Sequence, residues 1–520
     1  MGKKVKSYSC LVILLILFVK LSSFAQTKPV LKPNTSVTFQ LGSLFKDHMI
    51  LQRDQPIPVW GKAAAGTTII VQFANSKKQA IADSKGNWRV NLEAQKASFE
   101  PKELLVYSNK KNIKVSDVLV GDVWICSGQS NMQLRVGAVP EIKKLIPLAK
   151  NIRSFEVKNT VAFEPQDTCE GVWEIKHPNS AVAFSFAYFL EQSANVPIGI
   201  ILTSWGSSSL EAWMPRDMIE TVPHYKTMIK EFDADSATQN RIAAILDGPK
   251  PWEKRDDIFL RRQSNILYNA MMHPLIPYAC RGLVWYQSER NTLSMHGMPK
   301  KPWFARNSGM LKYGEVLKKW MERYREGWEN EKLHFVIIML PGYGRILDSQ
   351  KDTNQEHPNS HSWAWMRESQ LKALELPHTS VVNTIDLGDV KNIHPKDKLP
   401  VGKRSAQLVL DNVLNKKVKA QGPMLENVKI KRNIIQLCFK NATGLKTTDG
   451  KTPTGFWLSD DSGNWFRAAA KIKGEKVILN APELERPLYV RYAFTGKPNV
   501  NLVNAANLPA YPFRTDSFQP

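Results

Sequence analysis

The chain has 520 residues, 43% of them hydrophobic and 23% charged, with a formal net charge of +23 at pH 7. That composition is ample for ordinary cores and, by length, for about three domains. The lysines are scattered and no basic–aromatic cluster occurs, so nucleic acid is excluded as a partner; the charge reads as solvated surface that tolerates an acidic glycan or a negatively charged envelope.

Lys3, Lys4 and Lys6, an apolar block from Leu11 to Val19, and the small residues Ser23 and Ala25 together describe a secretory signal peptide, residues 1–25, cut after Ala25. The apolar block is too short to span a bilayer, so no membrane span is expected. Cys10 precedes this block, whereas a lipid-anchor cysteine would follow it. The expectation is an exported protein, periplasmic or extracellular, whose charge falls to +19 when Lys3, Lys4, Lys6 and Lys20 leave.

Residues 26–115 read as an N-terminal β module. Val37–Gln40, Pro58–Trp60, Thr68–Phe73, Asn87–Leu92 and Leu104–Tyr107 are short alternating or apolar runs, punctuated by Gly61, Gly66 and Gly86. Lys85-Gly86 is a hairpin signal. From about 116 to 416 the pattern changes to near-continuous apolar strands (Val123–Cys126, Ile198–Thr203, Gly282–Tyr286, Phe335–Leu340, Val381–Asp386) that alternate with helices. The helices are read at Ala181–Glu191, Leu311–Glu326, Trp365–Leu374 and Gly402–Val413 from apolar positions three and four apart. Residues 215–270 read as a helical excursion over one edge. Residues 417–520 return to alternating β runs, with Asp449-Gly450 and Ser462-Gly463 as turns. The fold class is therefore α/β, with a parallel-sheet domain between two β-sandwich-like modules.

Cys126, Cys169, Cys280 and Cys438 are not spaced as a zinc or redox pair, and no HExxH pattern occurs. Four cysteines cannot staple a chain of this length, so most are expected to be buried thiols. Neither metal nor cofactor is implied. Fifteen tryptophans weakly favour a carbohydrate ligand.

Chemistry concentrates at strand ends. The apolar run Val123–Cys126 breaks into Ser127-Gly128-Gln129-Ser130-Asn131-Met132, which places Ser130 between a strand and a helix, where ligands bind in open α/β sheets. A serine there serves either as a helix cap or as a nucleophile. Asp386–Pro395 follows another strand and carries His394, a base candidate if both strands run parallel. Two more loops leave the same predicted edge. One holds Gly206, where a backbone N–H can approach a ligand; the other holds Trp285-Tyr286-Gln287-Ser288-Glu289-Arg290-Asn291, an amide and a carboxylate two residues apart.

These blocks, Ser127–Met132, Ser204-Trp205-Gly206 with Glu211–Met214, Trp285–Glu289 and Ile393–Lys398, resemble those of the sialate O-acetylesterases, members of the SGNH (GDSL-like) hydrolases. The resemblance begins near residue 40, where Phe45–Arg53 and Pro58–Gly61 look like the family's N-terminal β module, and runs to the last domain. It implies an SGNH-type three-layer α/β/α domain and a serine esterase acting on an O-acetylated carbohydrate. Ser130 is then the nucleophile and His394 the base. The oxyanion would be met by N–H groups at Ser130 and Gly206 and by a side-chain amide, Gln287 or, failing it, Asn291.

Three departures stand out. Relatives show Gln-Gly-Glu-Ser where this chain has Gln287-Ser288-Glu289-Arg290, so Ser288 is strained if the glycine serves a positive φ. Arg290 adds a cation that pairs with Glu289 or greets an anionic substrate; with Asn291 it is assigned to substrate binding. Lys391 and Asn392 stand where an orienting Asp precedes the histidine in SGNH enzymes. Glu289 is the preferred acid and Asp389 the alternative. Two competing readings are a carbohydrate-binding protein on a decayed esterase scaffold and a broad carboxylesterase or lipase. The latter ranks lower because Gly128-Gln129-Ser130-Asn131-Met132 lacks the second glycine of a nucleophile elbow.

Overall fold

A computed structural model describes residues 39–297, 307–344, 357–358 and 362–520. All of them fall within one compact unit, Thr38–Pro520. The expected signal peptide, residues 1–25, lies outside the described residues.

The site is built on a parallel sheet of six strands: β1 (Asn112–Gly128), β2 (Ile152–Glu156), β3 (Ile198–Ser204), β4 (Gly282–Tyr286), β5 (His334–Ile338) and β6 (Thr379–Val382). Their spatial order is β2-β3-β1-β4-β5-β6. Every neighbouring pair among them is parallel. These strands are apolar on both sides because helices cover both faces. The helices are α1 (Ala181–Ala194), α2 (Gly309–Gly327), α3 (Ser362–Leu371) and α4 (Lys398–Asn412). Trp124, Cys126, Val284, Tyr286, Val336 and Ile338 share a core with α1 and α4. Their neighbours Val123, Ile125, Leu283, Trp285, Phe335 and Ile337 share the other core with α2 residues such as Leu317 and Trp320 and with Trp365 and Met366 of α3. That is the period-two division of a strand covered on both sides.

From β1 the chain first builds one flank (β2, β3) and then crosses to the other (β4 to β6). β1 is therefore the switch strand, and the crevice at its carboxyl end is where a sheet of this kind takes ligands. Register brings the strand ends together: Gly128 lies opposite Ser204 on one side and Tyr286 on the other.

β1 also reaches backwards. Its first half pairs antiparallel with Ser98–Tyr107, which pairs with Thr68–Phe73, so the N-terminal β strands and the parallel sheet share one strand. The boundary expected near residue 116 falls inside it. The hairpin expected at Lys85-Gly86 is absent. Ser76–Ile81 pairs with Thr68–Phe73, whereas Asn87–Leu92 pairs with Ile57–Lys62 in a separate sheet. The turn at 83–86 is held by Asp83 accepting from the Lys85 and Asn87 N–H groups, and it hands the chain from one sheet to the other. The hairpin is at Ala74, whose φ of 48° is the left-handed backbone conformation that a tight turn between two paired strands uses.

Strand β2 has no counterpart among the strands read from sequence. Arg153 and Ser154 interrupt its pattern, but Arg153 is buried and donates to the Asp117 carboxylate and to the His48 and Asp117 carbonyls. Residues 215–270 include three helices, Pro223–Ala234, Ser236–Asp247 and Lys254–Leu260. After Asn412 the chain forms two four-stranded sheets and a short strand pair, consistent with a β region. All four cysteines described are free thiols; Cys126 and Cys280 are buried, Cys169 and Cys438 only partly so. Among the described residues no helix is long and apolar enough to cross a membrane.

Candidate active site

β1 ends at Gly128, and Ser130–Gln133 forms a single helical turn. Gly128 has φ 137°, and a Cβ on it would sit 2.1 Å from the Tyr286 carbonyl oxygen, so only glycine lets the turn pass this close to β4. The turn presents Ser130 Oγ 2.8 Å from His394 Nε2, the geometry for a hydroxyl to donate to a neutral imidazole. His394 arrives on the loop between β6 and α4, 264 residues later in the chain. The two residues singled out from sequence are thus in contact. His394 stays open to solvent on one side; desolvation first, and the Lys398 charge second, hold its pKa below the usual histidine value.

Gly206 closes the other side. A Cβ there would lie 3.2 Å from Ser130 Cβ, so the Gly206 loop abuts Ser130. Its N–H, however, is donated to Gln133 Oε1 at 2.7 Å, and Gln133 is itself anchored by donating to the Ser204 carbonyl. The Ser130 N–H meets no acceptor among the described residues.

Gln287 does not face the serine. It is fully buried, and its amide donates to Gln129 Oε1, the Ser208 carbonyl and Asn291 Oδ1, while its own oxygen accepts from Tyr313. Asn291 is as deeply placed: it donates to Glu211 and Ser308 and accepts from the Leu210 N–H. Both amides expected to serve an oxyanion or a substrate are used up beneath the loops that carry the site. The centre of that network is Glu211, a buried carboxylate. Burial would raise its pKa, but the hydrogen bond and charge of His224 and the Asn291 amide more than offset it and leave it lowered.

Neither acid candidate contacts the His394 ring. Glu289 is buried, but its Oε1 accepts from Asn131 Nδ2 at 2.5 Å, and its Oε2 has no partner among the described residues. Asp389 accepts from the Lys391 and Asn392 N–H groups of its own loop. Among the described residues no carboxylate hydrogen-bonds the His394 ring. Burial pushes the Glu289 carboxyl above its usual range, against the pull of Asn131 and Lys398.

Ser288 has φ 152°, so the serine stands in a conformation that favours glycine, and its Oγ accepts from Gln370. Arg290 does not pair with Glu289. Burial and the neighbouring charge of Arg262 pull its pKa down to about 10, which leaves it cationic at neutral pH. Neither Arg262 nor Arg290 meets a carboxylate among the described residues. Arg261, by contrast, pairs with Asp257 while its Nη1 lies 3.2 Å from where a Gly206 Cβ would be.

Asn131, Gln133, Lys398, Arg261 and Arg262 had no role assigned from sequence. Asn131 and Lys398 lie inside two of the quoted blocks, which was signal enough to ask what they hold. The arginines lie in the helical excursion, where nothing in the local pattern marks them.

Residues 120–247 match a family model described as "Carbohydrate esterase, sialic acid-specific acetylesterase". A sialate O-acetylesterase of Rattus norvegicus is 25% identical over 514 residues, covering 89% of this chain and 90% of the relative. That of Homo sapiens is 23% identical over 505 residues, with 89% of each covered. The solved structure of a carbohydrate acetylesterase from Xanthomonas citri superposes with a TM-score of 0.76 at 29% identity, covering 92% of this chain and all of that one. The chain belongs to the sialate O-acetylesterase family. It is a carboxylic ester hydrolase. For a member of this family the Ser130–His394 contact is the place to look for chemistry, and the carbohydrate-binding reading without catalysis loses its ground.

Proposed function

We propose that this protein is an exported serine esterase of the SGNH type that removes O-acetyl groups from sugars through an acetyl-enzyme on Ser130. The observation that carries the reading is the 2.8 Å contact between Ser130 Oγ and His394 Nε2 at the carboxyl end of the switch strand.

Ser130 Oγ attacks the acetyl carbonyl carbon and its proton passes to His394 Nε2. The tetrahedral oxyanion is met by the Ser130 N–H and, once Gln133 Oε1 yields it, the Gly206 N–H. Collapse breaks the bond to the sugar oxygen, which takes the proton from His394 and leaves as the alcohol. Water then gives a proton to His394 and attacks the acetyl-enzyme. Acetic acid departs and gives its own proton to solvent, the His394 proton returns to Ser130 Oγ, and no redox step enters.

The Arg262 and Arg290 guanidinium groups, which meet no carboxylate among the described residues, favour an acidic sugar over a neutral one, because a carboxylate on the substrate would give these partly buried cations a partner. The test is hydrolysis of 4-nitrophenyl acetate, an O-acetylated sialic acid and an O-acetylated neutral sugar by the mature protein, Ser130→Ala and His394→Ala. Both variants are expected to fall by about 10⁴-fold or more on every substrate. Parent-like turnover by Ser130→Ala would end this reading, and faster hydrolysis of longer acyl esters would favour the lipase-like one.

A further inference from the structure

Beneath the Ser130–His394 contact lies a second constellation that hydrolysis as written does not use. Lys398, the first residue of α4, is completely buried, and its Nζ donates to Asn131 Oδ1 at 2.7 Å. Asn131 Nδ2 donates to Glu289 Oε1 and, at 3.0 Å, to the carbonyl of Ile393, the residue before the histidine. Lys398 Nζ also stands 5.1 Å over the Tyr286 ring. An ammonium offers only donors, whereas a carbonyl and an ionised carboxylate offer only acceptors, so the Asn131 amide has one orientation that satisfies all of them. Reversed, it would set NH₂ against the ammonium and oxygen against oxygen. Lys398 and Glu289 thus orient one amide from opposite sides, and that amide ties the nucleophile turn to the histidine loop.

We propose, resting on the reading of Ser130 and His394 above, that Lys398 is a positioning residue for ester hydrolysis. Through Asn131 it locks the histidine loop onto the nucleophile turn, and its charge keeps the His394 imidazole in its basic form.

Three further features support this. First, α4 is a fixed mount: a Cβ on Gly402 would lie 2.4 Å from Ser185 Oγ of α1, and Ser185 donates to the Leu399 carbonyl, so the first turn of α4 cannot slide. Second, the charged groups around His394 have other duties. Asp389 caps its own loop, Asp397 accepts from the Gly388 N–H, and Glu289 is spent on Asn131. From the Gly206 side, Arg261 is paired with Asp257. Third, Lys398 is the charge that acts on the ring, in the direction of a lowered pKa. Burial pulls the Lys398 pKa itself down to about 8, so it is still protonated in the mildly acidic range where a histidine must stay neutral to act as base.

The experiment is kcat/KM and kcat against pH for the parent, Lys398→Gln and Lys398→Met, with melting temperatures. Gln keeps a donor for Asn131 without the charge; Met keeps neither. Both are expected to move the acid limb of kcat/KM upward, on the order of half a pH unit. Met is expected to lose kcat by a further ~10–100-fold, which Gln largely restores. An acid limb unmoved in both variants, or kcat falling only in step with melting temperature, would overturn the proposal. If neither variant folds, the His394 ring is titrated by NMR in Ser130→Ala protein, with Ser130→Ala/His394→Gln to assign the signal. A value below that of an ordinary histidine that rises with added salt, as a charge effect does and burial does not, supports the proposal; one at or above the ordinary value, or low and insensitive to salt, refutes it. Ser130→Ala with parent-like activity would instead remove the underlying reading, so the two failures are distinguishable.

Discussion

At the scale of single residues, Ser130 and His394 meet at the strand edge where their motifs put them, and the polar groups around them do not face where theirs suggested. Glu289 was the natural acid by its motif, yet it touches Asn131 rather than His394, while Asp389 caps its own loop. Glu289→Gln keeps the shape and the acceptor for Asn131, so kcat is expected to fall by about 10-fold. An orienting acid would cost about 10⁴. Asp389→Asn should lower kcat less still. A loss approaching 10⁴ in either variant would show that its carboxylate reaches His394 during turnover. The signal that misled is general: a motif names the residue types near a site, but an acid two residues from an amide in sequence points wherever the loop turns it. Gln287 and Asn291 fail for the same reason, because the turn after β4 sends both inward to Glu211 and Gln129.

Among the elements, the strands and helices that frame the site were legible because each has a single strong period. The apolar runs of β3, β4 and β5 and the three-and-four spacing of α1, α2 and α4 describe surfaces buried in known ways. Strand β2 was missed because its buried polar residues, Arg153 and Ser154, are satisfied by partners remote in sequence, Asp117 and the Lys176 carbonyl. The loop after β4 is the one strained connection that the sequence did announce. Ser288 at φ 152° costs about 1–3 kcal/mol, partly offset by the hydrogen bond from Gln370. Ser288→Gly relieves the strain and loses that bond, whereas Ser288→Ala loses the bond and keeps the strain. Glycine is therefore expected to be the more stable by about 1–3 kcal/mol in chemical denaturation, the reverse of the usual order. Alanine matching or exceeding glycine would show that the loop carries no strain.

Across the whole molecule, the β regions at either end are joined to the parallel sheet rather than tethered to it. β1 is shared with the N-terminal strands, and buried Asp122 on it accepts from both Arg53 and Arg281. At the other end Arg367 of α3, fully buried, donates to the carbonyls of Leu340 and Pro341 after β5 and of Thr495 and Gly496 in the C-terminal β region. Burial pulls its pKa down to about 9, still cationic at neutral pH. Arg367→Met takes a donor from four carbonyls, of which Gly496 keeps the Tyr343 N–H, and is expected to cost about 3 kcal/mol of unfolding free energy in urea titration. Parent-like stability would show that the joint is held by other contacts. The sequence by itself determined the α/β class, the β regions at both ends, the edge of the sheet that carries the site, and Ser130 and His394, because periodicity and strand-end motifs are local and each is read from a few adjacent residues. Only the tertiary structure decided which polar groups serve the chemistry and which are spent holding it in place. Whether Glu289, Gln287, Gly206 or Lys398 faces the reacting atoms depends on hydrogen bonds formed across more than 70 residues of chain, and such partners are chosen by packing, which no local pattern records.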